Sequence, residues 1–230
     1  MTGVQGSRLT GSGKTYRAII FDLDGTLVDS FPAIHQSLAA AMKGTGVPPW
    51  DLATTTRHVG RGIEHLVTCA VGEERKRRAL ELFRRDYGDT CLARTFLHPG
   101  VSATLPRLKT RGFRLAIATN KAIGFTRRIV AHLGIAPCFE CVAGPELVTH
   151  LKPHPDMIRF IRAKLGVDAP ECLYVGDMPL DAETAAQAGV DCLLVATGAH
   201  ARPELERLVE APVLETFSEL PAYLGLVPDS

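Results

Sequence analysis

Six short apolar runs, separated by stretches with helical patterning, constrain the fold of this 230-residue chain more than any other feature. The runs are continuous rather than alternating, which is typical of parallel strands that are covered on both faces. They are AIIFDL (18–23), RLAIAT (114–119), CVAG (141–144), CLYVG (172–176), CLLVA (192–196) and the weaker VLET (213–216). Strands that alternate with helices predict an α/β fold, a doubly wound parallel sheet with right-handed crossovers.

The helical stretches between the later runs carry clear stop signals. A glycine follows each of them, as is common just past the end of a helix. We expect Ser102 to cap the first of these helices. The stretches are 102–111, 123–133, 155–165 and 181–188.

One long segment breaks the alternation of strands and helices. Residues 31–96 contain no convincing strand, and they begin with a helical pattern that Pro32 opens. A second amphipathic pattern places Leu80, Phe83 and Tyr87 on one helix face. Asp29 and Ser30 precede the segment and are expected to cap its first helix.

These patterns predict three parts of the chain. Residues 1–16 are rich in Gly, Ser and Thr and are expected to form a flexible tail. Residues 17–30 and 97–230 are expected to form the α/β core. Residues 31–96 are expected to form a helical cap domain, inserted after the first strand.

The composition excludes several classes of protein. Hydrophobic residues make up 46% and charged residues 22%, so the chain can bury a sizeable core. The formal net charge of +1 and the acids beside the basic cluster 75–78 argue against a nucleic-acid partner. Because no apolar stretch is long enough to span a bilayer and no secretory signal is recognisable, we expect a cytoplasmic protein without membrane contact, a monomer or homodimer.

Polar residues that could carry chemistry lie at the ends of four of the apolar runs or in the loops after them. Because ligands bind at the carboxyl ends of the strands in an open parallel sheet, these residues should converge at one edge. The candidates are Asp22, Asp24, Thr119, Asn120, Lys152, Asp177 and Asp181. For Asp181, a purely structural role at a helix N-terminus is the alternative.

The residue types at this edge indicate a cation and a phosphate. Asp22, Asp24 and Asp177 would repel one another unless a cation lay among them, and oxygen ligands alone suit Mg²⁺. Lys152 would add a second positive charge for an anionic substrate. Gly25 would let backbone N–H groups approach a phosphate closely. This set predicts phosphoryl transfer.

The spacing of Asp22 and Asp24 suggests a division of labour. Residues i and i+2 of an extended segment point the same way. One carboxylate could therefore attack phosphorus and form an aspartyl-phosphate, while its neighbour moves the proton to and from the leaving oxygen.

Four motifs give the chain a family resemblance. They are DLDGT (22–26), the Thr of TNK (119–121), the Lys of LKPHPD (151–156) and GDMPLD (176–181). With them, the chain resembles the haloacid dehalogenase-like hydrolases, in the branch with a helical cap after the first strand, and most of all phosphoglycolate phosphatases. The resemblance covers residues 17–225 and implies a central first strand.

The resemblance implies a role for each matching residue. Asp22 would be the nucleophile and a Mg²⁺ ligand, and Asp24 the acid/base whose backbone carbonyl also binds the metal. Asp177 would be the other carboxylate ligand, with Asp181 supporting the metal site. The phosphate would be held by Gly25, Thr26, Thr119, Asn120 and Lys152.

The cap would then select the substrate. The segment HVGRGIEHLV (58–67) resembles the cap segment of phosphoglycolate phosphatases. A turn made by Gly60 and Gly62 could hold Arg61 over the active site, where it would pair with the carboxylate of glycolate. A solvated Arg61 is the alternative.

We therefore expect a Mg²⁺-dependent phosphatase that acts on a small phosphorylated metabolite, foremost 2-phosphoglycolate. A phosphomutase of the β-phosphoglucomutase kind, a pyrophosphatase and a broad sugar or nucleotide phosphatase remain alternatives within the family. A receiver-type signalling domain is the alternative from another class, because it also uses an aspartate, Mg²⁺, a Thr and a Lys.

Overall fold

The structure is a computed structural model of the chain, and it describes residues 8–9 and 14–226. Its strands are short, and most of them coincide with the apolar runs of the sequence. They are β1 (Arg8–Leu9), β2 (Thr15–Tyr16), β3 (Ala18–Phe21), β4 (Val28–Asp29), β5 (Phe96–Leu97), β6 (Arg114–Ala118), β7 (Cys141–Ala143), β8 (Cys172–Gly176), β9 (Asp191–Val195) and β10 (Val213–Leu214).

Six of these strands form one parallel sheet, as the sequence predicts. The order is β10-β9-β8-β3-β6-β7, so the first run of the core lies in the middle. Alternate residues of β3 enter two separate hydrophobic clusters: Ile19 and Phe21 on one face, Ala18 and Ile20 on the other. Both faces are covered, which explains why the runs are continuously apolar.

The helices lie between the strands and in the inserted segment. They are α1 (Phe31–Gly44), α2 (Leu52–His58), α3 (Ile63–Val71), α4 (Glu73–Thr90), α5 (Val101–Thr110), α6 (Ile123–His132), α7 (Asp156–Leu165), α8 (Pro179–Ala188), α9 (Arg202–Leu208) and α10 (Leu220–Tyr223).

Two predicted helix starts are wrong. Helix α5 begins at Val101 with Gly100 in a left-handed conformation at the N-cap, so Ser102 does not cap it. Helix α8 begins at Pro179, two residues before Asp181, because proline suits the first helical position.

Four helices, α1 to α4, occupy the inserted segment, and α1, α3 and α4 share a hydrophobic cluster separate from those of the sheet. Helix α1 packs mainly on α4, and Leu38, Met42, Phe83 and Tyr87 are buried between them. Both connections to the core run through β4 and β5, which pair antiparallel. The cap is therefore a separate helical body on a two-stranded ribbon.

The expected tail is shorter than predicted. Thr15–Tyr16 pairs with Arg8–Leu9, and Tyr16 is buried, with its hydroxyl donating to Asp191 at 2.8 Å. The rest of the expected tail, 1–7 and 10–13, and the last four residues of the expected core, 227–230, lie outside the described residues. Within the described residues, no helix is both long enough and apolar enough to cross a membrane.

Candidate active site

The candidate residues converge at the carboxyl edge of the central strands. Phe21, Ile117 and Val175 lie level with one another in β3, β6 and β8. The chain leaves these three strands at nearly the same height, and this brings Asp22, Thr119 and Asp177 to the same edge. The loop after β7 adds Lys152, which is 4% exposed although it is a lysine.

Lys152 is held by a buried network of oxygen atoms. Its Nζ lies 2.9 Å from Oδ2 of Asp22 and 2.7 Å from Oδ1 of Asp181, and it donates to the hydroxyl of Tyr174 at 3.0 Å. Burial alone would lower the pKa of Lys152, but the two carboxylates outweigh burial and raise the pKa. Lys152 therefore stays charged and places a fixed cation beside Asp22.

Asp22 is fixed by contacts to both of its carboxylate oxygens. Oδ1 accepts from the amide of Leu23 at 2.7 Å, and Oδ2 pairs with Lys152. Burial raises the pKa of Asp22 to about 6 in spite of Lys152, since Asp181 and Asp24 add negative charge nearby. A further positive charge nearby would lower this pKa and keep the carboxylate of Asp22 ionised at lower pH.

The unpartnered oxygen of Asp177 marks a place for that charge. Carboxylate oxygens of Asp22, Asp177 and Asp181 lie within 4.8 Å of one another. Oδ2 of Asp177 is buried and finds no hydrogen-bond partner among the residues that the structure describes. Burial, followed by the charges of Asp181 and Asp22, raises the pKa of Asp177 well above its ordinary value. A hard cation would relieve both the repulsion and the missing contact, so these residues fit Mg²⁺.

Two glycines leave the space around that oxygen open. A Cβ atom added to Gly25 would lie 2.3 Å from Oδ2 of Asp177, and one added to Gly198 would lie 1.8 Å from it. The hydroxyl of Thr197 donates to the carbonyl of Gly25 at 2.6 Å, which holds the neighbouring Gly198 in place. The sequence reasoning did not identify Thr197 or Gly198, which come just after β9; their position at a strand end was the available signal.

Asp181 supports the site through its neighbours. Oδ1 accepts from Lys152 and from Tyr174, and Oδ2 accepts from the amides of Asp177 and Met178 at 3.1 Å each. Asp181 therefore combines the two roles that the sequence left open, because it caps the start of α8 and also orients Lys152.

Asp24 is oriented by two residues that the prediction gave no role in the site. Lys121 Nζ lies 2.9 and 2.8 Å from its two carboxylate oxygens, and the hydroxyl of Ser30 donates to Oδ1. Lys121 also lies 4.9 Å from the ring centre of Tyr87 in the cap. The prediction that Ser30 caps α1 is wrong, since its hydroxyl turns to Asp24; Asp29 instead accepts from the amide of Phe31 at 3.2 Å.

Gly25 and Thr26 do not offer free amides to a phosphate, contrary to the prediction. The tight turn after β3 uses them internally: the amide of Gly25 donates to Val28 at 2.8 Å and that of Thr26 to Leu23 at 3.3 Å. The hydroxyl of Thr26 donates to Oδ1 of Asp177 at 2.8 Å. Both residues therefore shape the carboxylate cluster.

Thr119 and Asn120 were both predicted to hold phosphate, and the structure separates them. Thr119 is buried and lines the open cleft beside Asp22. The side chain of Asn120 is occupied, because it donates to the carbonyls of Gly60 at 2.9 Å and Lys152 at 3.2 Å and accepts from the amide of Lys152 at 2.9 Å. Asn120 therefore connects the cap loop to the backbone of Lys152 through its side chain, and a phosphate contact of Asn120 stays a prediction.

The glycines of the cap loop allow the cap to approach the core closely. A Cβ atom on Gly60 would lie 2.6 Å from Sδ of Met178, and one on Gly62 would lie 3.3 Å from Cδ1 of Leu151. Both have positive φ, 116° and 88°. Arg61 between them is exposed and is not among the residues that line the cleft, so the structure favours the solvated alternative.

A cleft with a cavity volume of about 120 Å³ lies between the cap and the core. Its core side includes Asp22, Asp24 and Thr119, and its cap side includes Phe83 and Arg84 of helix α4. Sequence reasoning missed Arg84 because α4 carries several arginines and the pattern alone does not say which one faces the core.

Comparison with known proteins assigns this architecture to a family. The family model described as haloacid dehalogenase-like hydrolase matches residues 19–195. The chain belongs to the haloacid dehalogenase-like hydrolase family. That membership excludes the receiver-type signalling alternative.

The relatives define the type of hydrolase more closely. The chain is 36% identical over 213 residues to the phosphoglycolate phosphatase of Rhodobacter capsulatus, covering 90% of this chain and 96% of that protein. It is 34% identical to the phosphoglycolate phosphatase of Rhodospirillum rubrum over 91% of both chains. The crystal structure of a predicted phosphoglycolate phosphatase from Haemophilus somnus gives a TM-score of 0.83 at 27% identity, covering 89% of this chain and 96% of the other. The chain is a phosphatase of this family.

Proposed function

We propose that the protein hydrolyses a small phosphate monoester, foremost 2-phosphoglycolate, through a covalent aspartyl-phosphate and with Mg²⁺ as its cofactor. The observation that carries this proposal is the placement of Asp22. Its carboxylate stands in the cleft, held by an amide and by Lys152, and Asp24 follows two residues later.

Asp22 acts as the nucleophile in this mechanism. An oxygen of its carboxylate forms a bond to phosphorus while the bond from phosphorus to the ester oxygen of the substrate breaks. The contacts to Leu23 and Lys152 fix the attacking group before substrate arrives, so little orientation is lost in reaching the transition state.

Asp24 moves the proton in both steps. It gives a proton to the leaving ester oxygen, and it then takes one from the water that attacks the aspartyl-phosphate, which releases inorganic phosphate and restores Asp22. Lys121 and Ser30 set the orientation of its carboxyl group for both transfers.

Lys152 and the metal site deal with the negative charge. Lys152 offsets the charge of Asp22 so that an anionic phosphate can approach it. Asp22, Asp177 and the backbone carbonyl of Asp24 would hold Mg²⁺, with Asp181 behind them. When bound, the ion supplies Lewis-acid stabilisation of the phosphoryl oxygens.

The substrate assignment is supported by the relatives at 33–36% identity that are named phosphoglycolate phosphatases. A phosphomutase, a pyrophosphatase or a broad sugar or nucleotide phosphatase would use the same core residues. The difference lies in whether water or a second hydroxyl accepts the phosphoryl group, and in what the cap admits.

The test is a set of initial rates for phosphate release from 2-phosphoglycolate, sugar phosphates, nucleotides and pyrophosphate, with and without Mg²⁺. We expect the highest kcat/KM for 2-phosphoglycolate and no turnover without a divalent cation. In Asp22→Asn, turnover should be lost while the circular dichroism spectrum is kept. Turnover of that variant at the wild-type rate would refute the mechanism, and conversion of a sugar phosphate to its isomer would favour the mutase.

A further inference from the structure

The two sides of the cleft differ sharply in polarity. The core side of the cleft supplies the polar side chains of Asp22, Asp24, Thr119, Asn120 and Lys121. The cap contributes mainly apolar side chains, namely Ile34, Val59, Ile63, Leu66 and Phe83, and the ring and hydroxyl of Tyr87. Among the described cleft-lining residues of the cap, Arg84 is the one with a charged side chain.

Arg84 lies on the part of helix α4 that lines the cleft. Tyr87 is three residues further along the helix, which places the two on the same face about one turn apart. The ring of Tyr87 lies 4.9 Å from Lys121 Nζ, which is 2.8 Å from Asp24. Arg84 is therefore one helical turn away from the residue that covers the acid/base.

The guanidinium of Arg84 is weakly engaged in the structure. Its ion pair with Glu64 has an N–O distance of 3.9 Å, and the two side chains are 55% and 64% exposed. Glu64 also pairs with Lys76 at 3.6 Å, so it is shared. Exposed pairs of this kind contribute little, and an anion in the cleft could replace Glu64.

We infer that Arg84, and not Arg61, binds the anionic group of the organic part of the substrate. This inference rests on the proposed phosphatase function and narrows its substrate class to phosphate monoesters of short hydroxy acids. A guanidinium suits a carboxylate, since it can donate two parallel hydrogen bonds. A sugar is disfavoured because it carries several hydroxyl groups, whereas the described cap residues that line the cleft offer only Tyr87 and Arg84 as polar side-chain partners.

The chain offers a matched control for this residue. Arg85 follows Arg84 on the same helix, is also exposed, and does not line the cleft. The experiment compares Arg84→Gln, Arg84→Lys, Arg85→Gln and Arg61→Gln in the full chain with Mg²⁺. The measured quantity is kcat/KM for 2-phosphoglycolate and for p-nitrophenyl phosphate, which lacks a carboxylate.

We expect Arg84→Gln to lower kcat/KM for 2-phosphoglycolate roughly 10- to 100-fold, the usual effect of losing a hydrogen bond to a charged group. The rate with p-nitrophenyl phosphate should change less than about twofold, and Arg84→Lys should recover part of the loss because it keeps the charge. Arg85→Gln and Arg61→Gln should behave as wild type.

Two failures can be told apart. If the wild type prefers 2-phosphoglycolate and Arg84→Gln keeps that preference, the role of Arg84 is refuted and the proposed function stands. If the wild type does not favour the carboxylate-bearing substrate at all, both the substrate assignment and the role of Arg84 are refuted. A loss in Arg61→Gln alone would return the role to Arg61.

Discussion

Replacing Asn120 with alanine tests whether the cap and Lys152 are connected through one side chain. Asn120 is 5% exposed and makes three hydrogen bonds, one to the cap at Gly60 and two to the backbone of Lys152. Alanine removes all three and leaves the amide of Lys152 buried without its acceptor. The variant should therefore lose stability and cap docking together.

The size of each loss follows from these contacts. The contact to Gly60 contributes about 0.5–1.5 kcal/mol to the docked cap, or roughly 2- to 10-fold in the ratio of docked to undocked cap. An unpartnered buried amide costs about 1–3 kcal/mol. We expect the free energy of unfolding to fall by about 2–4 kcal/mol in total.

Two measurements check this expectation. Chemical denaturation gives the loss of stability, and hydrogen exchange of peptides that cover residues 59–66 reports on cap docking. Ser37→Ala is the control, because it removes a partly buried hydrogen bond of 2.7 Å to Asp86 inside the cap and leaves the contact with the core intact. It should lower stability by about 1 kcal/mol without faster exchange at 59–66. The reasoning is refuted if the free energy of unfolding of Asn120→Ala lies within about 0.5 kcal/mol of the wild-type value, which is below the cost of even one such contact. It is also refuted if residues 59–66 of the variant exchange as slowly as those of the wild type.

Three further predictions concern the carboxylates. Asp24→Asn should lower kcat about 10²- to 10⁴-fold, the usual contribution of a positioned acid/base. The measurement is steady-state kinetics at a fixed Mg²⁺ concentration, and a smaller loss of kcat would contradict the acid/base role. Gly198→Ala should weaken Mg²⁺ binding at least about tenfold in a calorimetric titration, since its Cβ would meet Asp177 at 1.8 Å; unchanged affinity would show that the loop moves aside freely. Burial raises the pKa of Asp22 from 3.8 to about 6. Protonation of Asp22 therefore stabilises the metal-free fold fully below pH 3.8, and this stabilisation is lost as the pH rises through about 6. Mg²⁺ replaces that proton, so the increase in Tm that it causes should be larger at pH 7 than at pH 5, and an equal increase at both would contradict the assignment.

The sheet and the core of the site were predictable because their signals are local. Each strand of the parallel sheet is a continuous apolar run. Asp22 and Asp177 come directly after a strand, and Lys152 lies in the loop after β7. Parallel pairing brings strand ends together, so their convergence follows from the topology. The pairing of β3 with β8 lies within the core, so it can be predicted without knowing how the cap docks.

Sequence reasoning missed contacts whose partners are chosen by the tertiary structure. Asn120 is 60 residues from Gly60, and its amide is satisfied by the cap loop, which no pattern near TNK reveals. Ser30 has the spacing of a helix cap, but Asp24 competes for its hydroxyl. The choice between Arg61 and Arg84 depends on which side of each element faces the cleft. That orientation is set by how the cap docks on the core.

The ribbon of β4 and β5 also defines where a chimeric enzyme should be cut. Val28 pairs with Leu97 and Asp29 with Phe96, so both chain crossings lie side by side at a single seam. A cap from another family member could be transplanted there without touching Asp22, Lys152 or Asp177. Ser30 lies just past the seam and donates to Asp24. A graft that begins after Ser30 therefore preserves the orientation of the acid/base, whereas one that begins before it must bring its own hydroxyl.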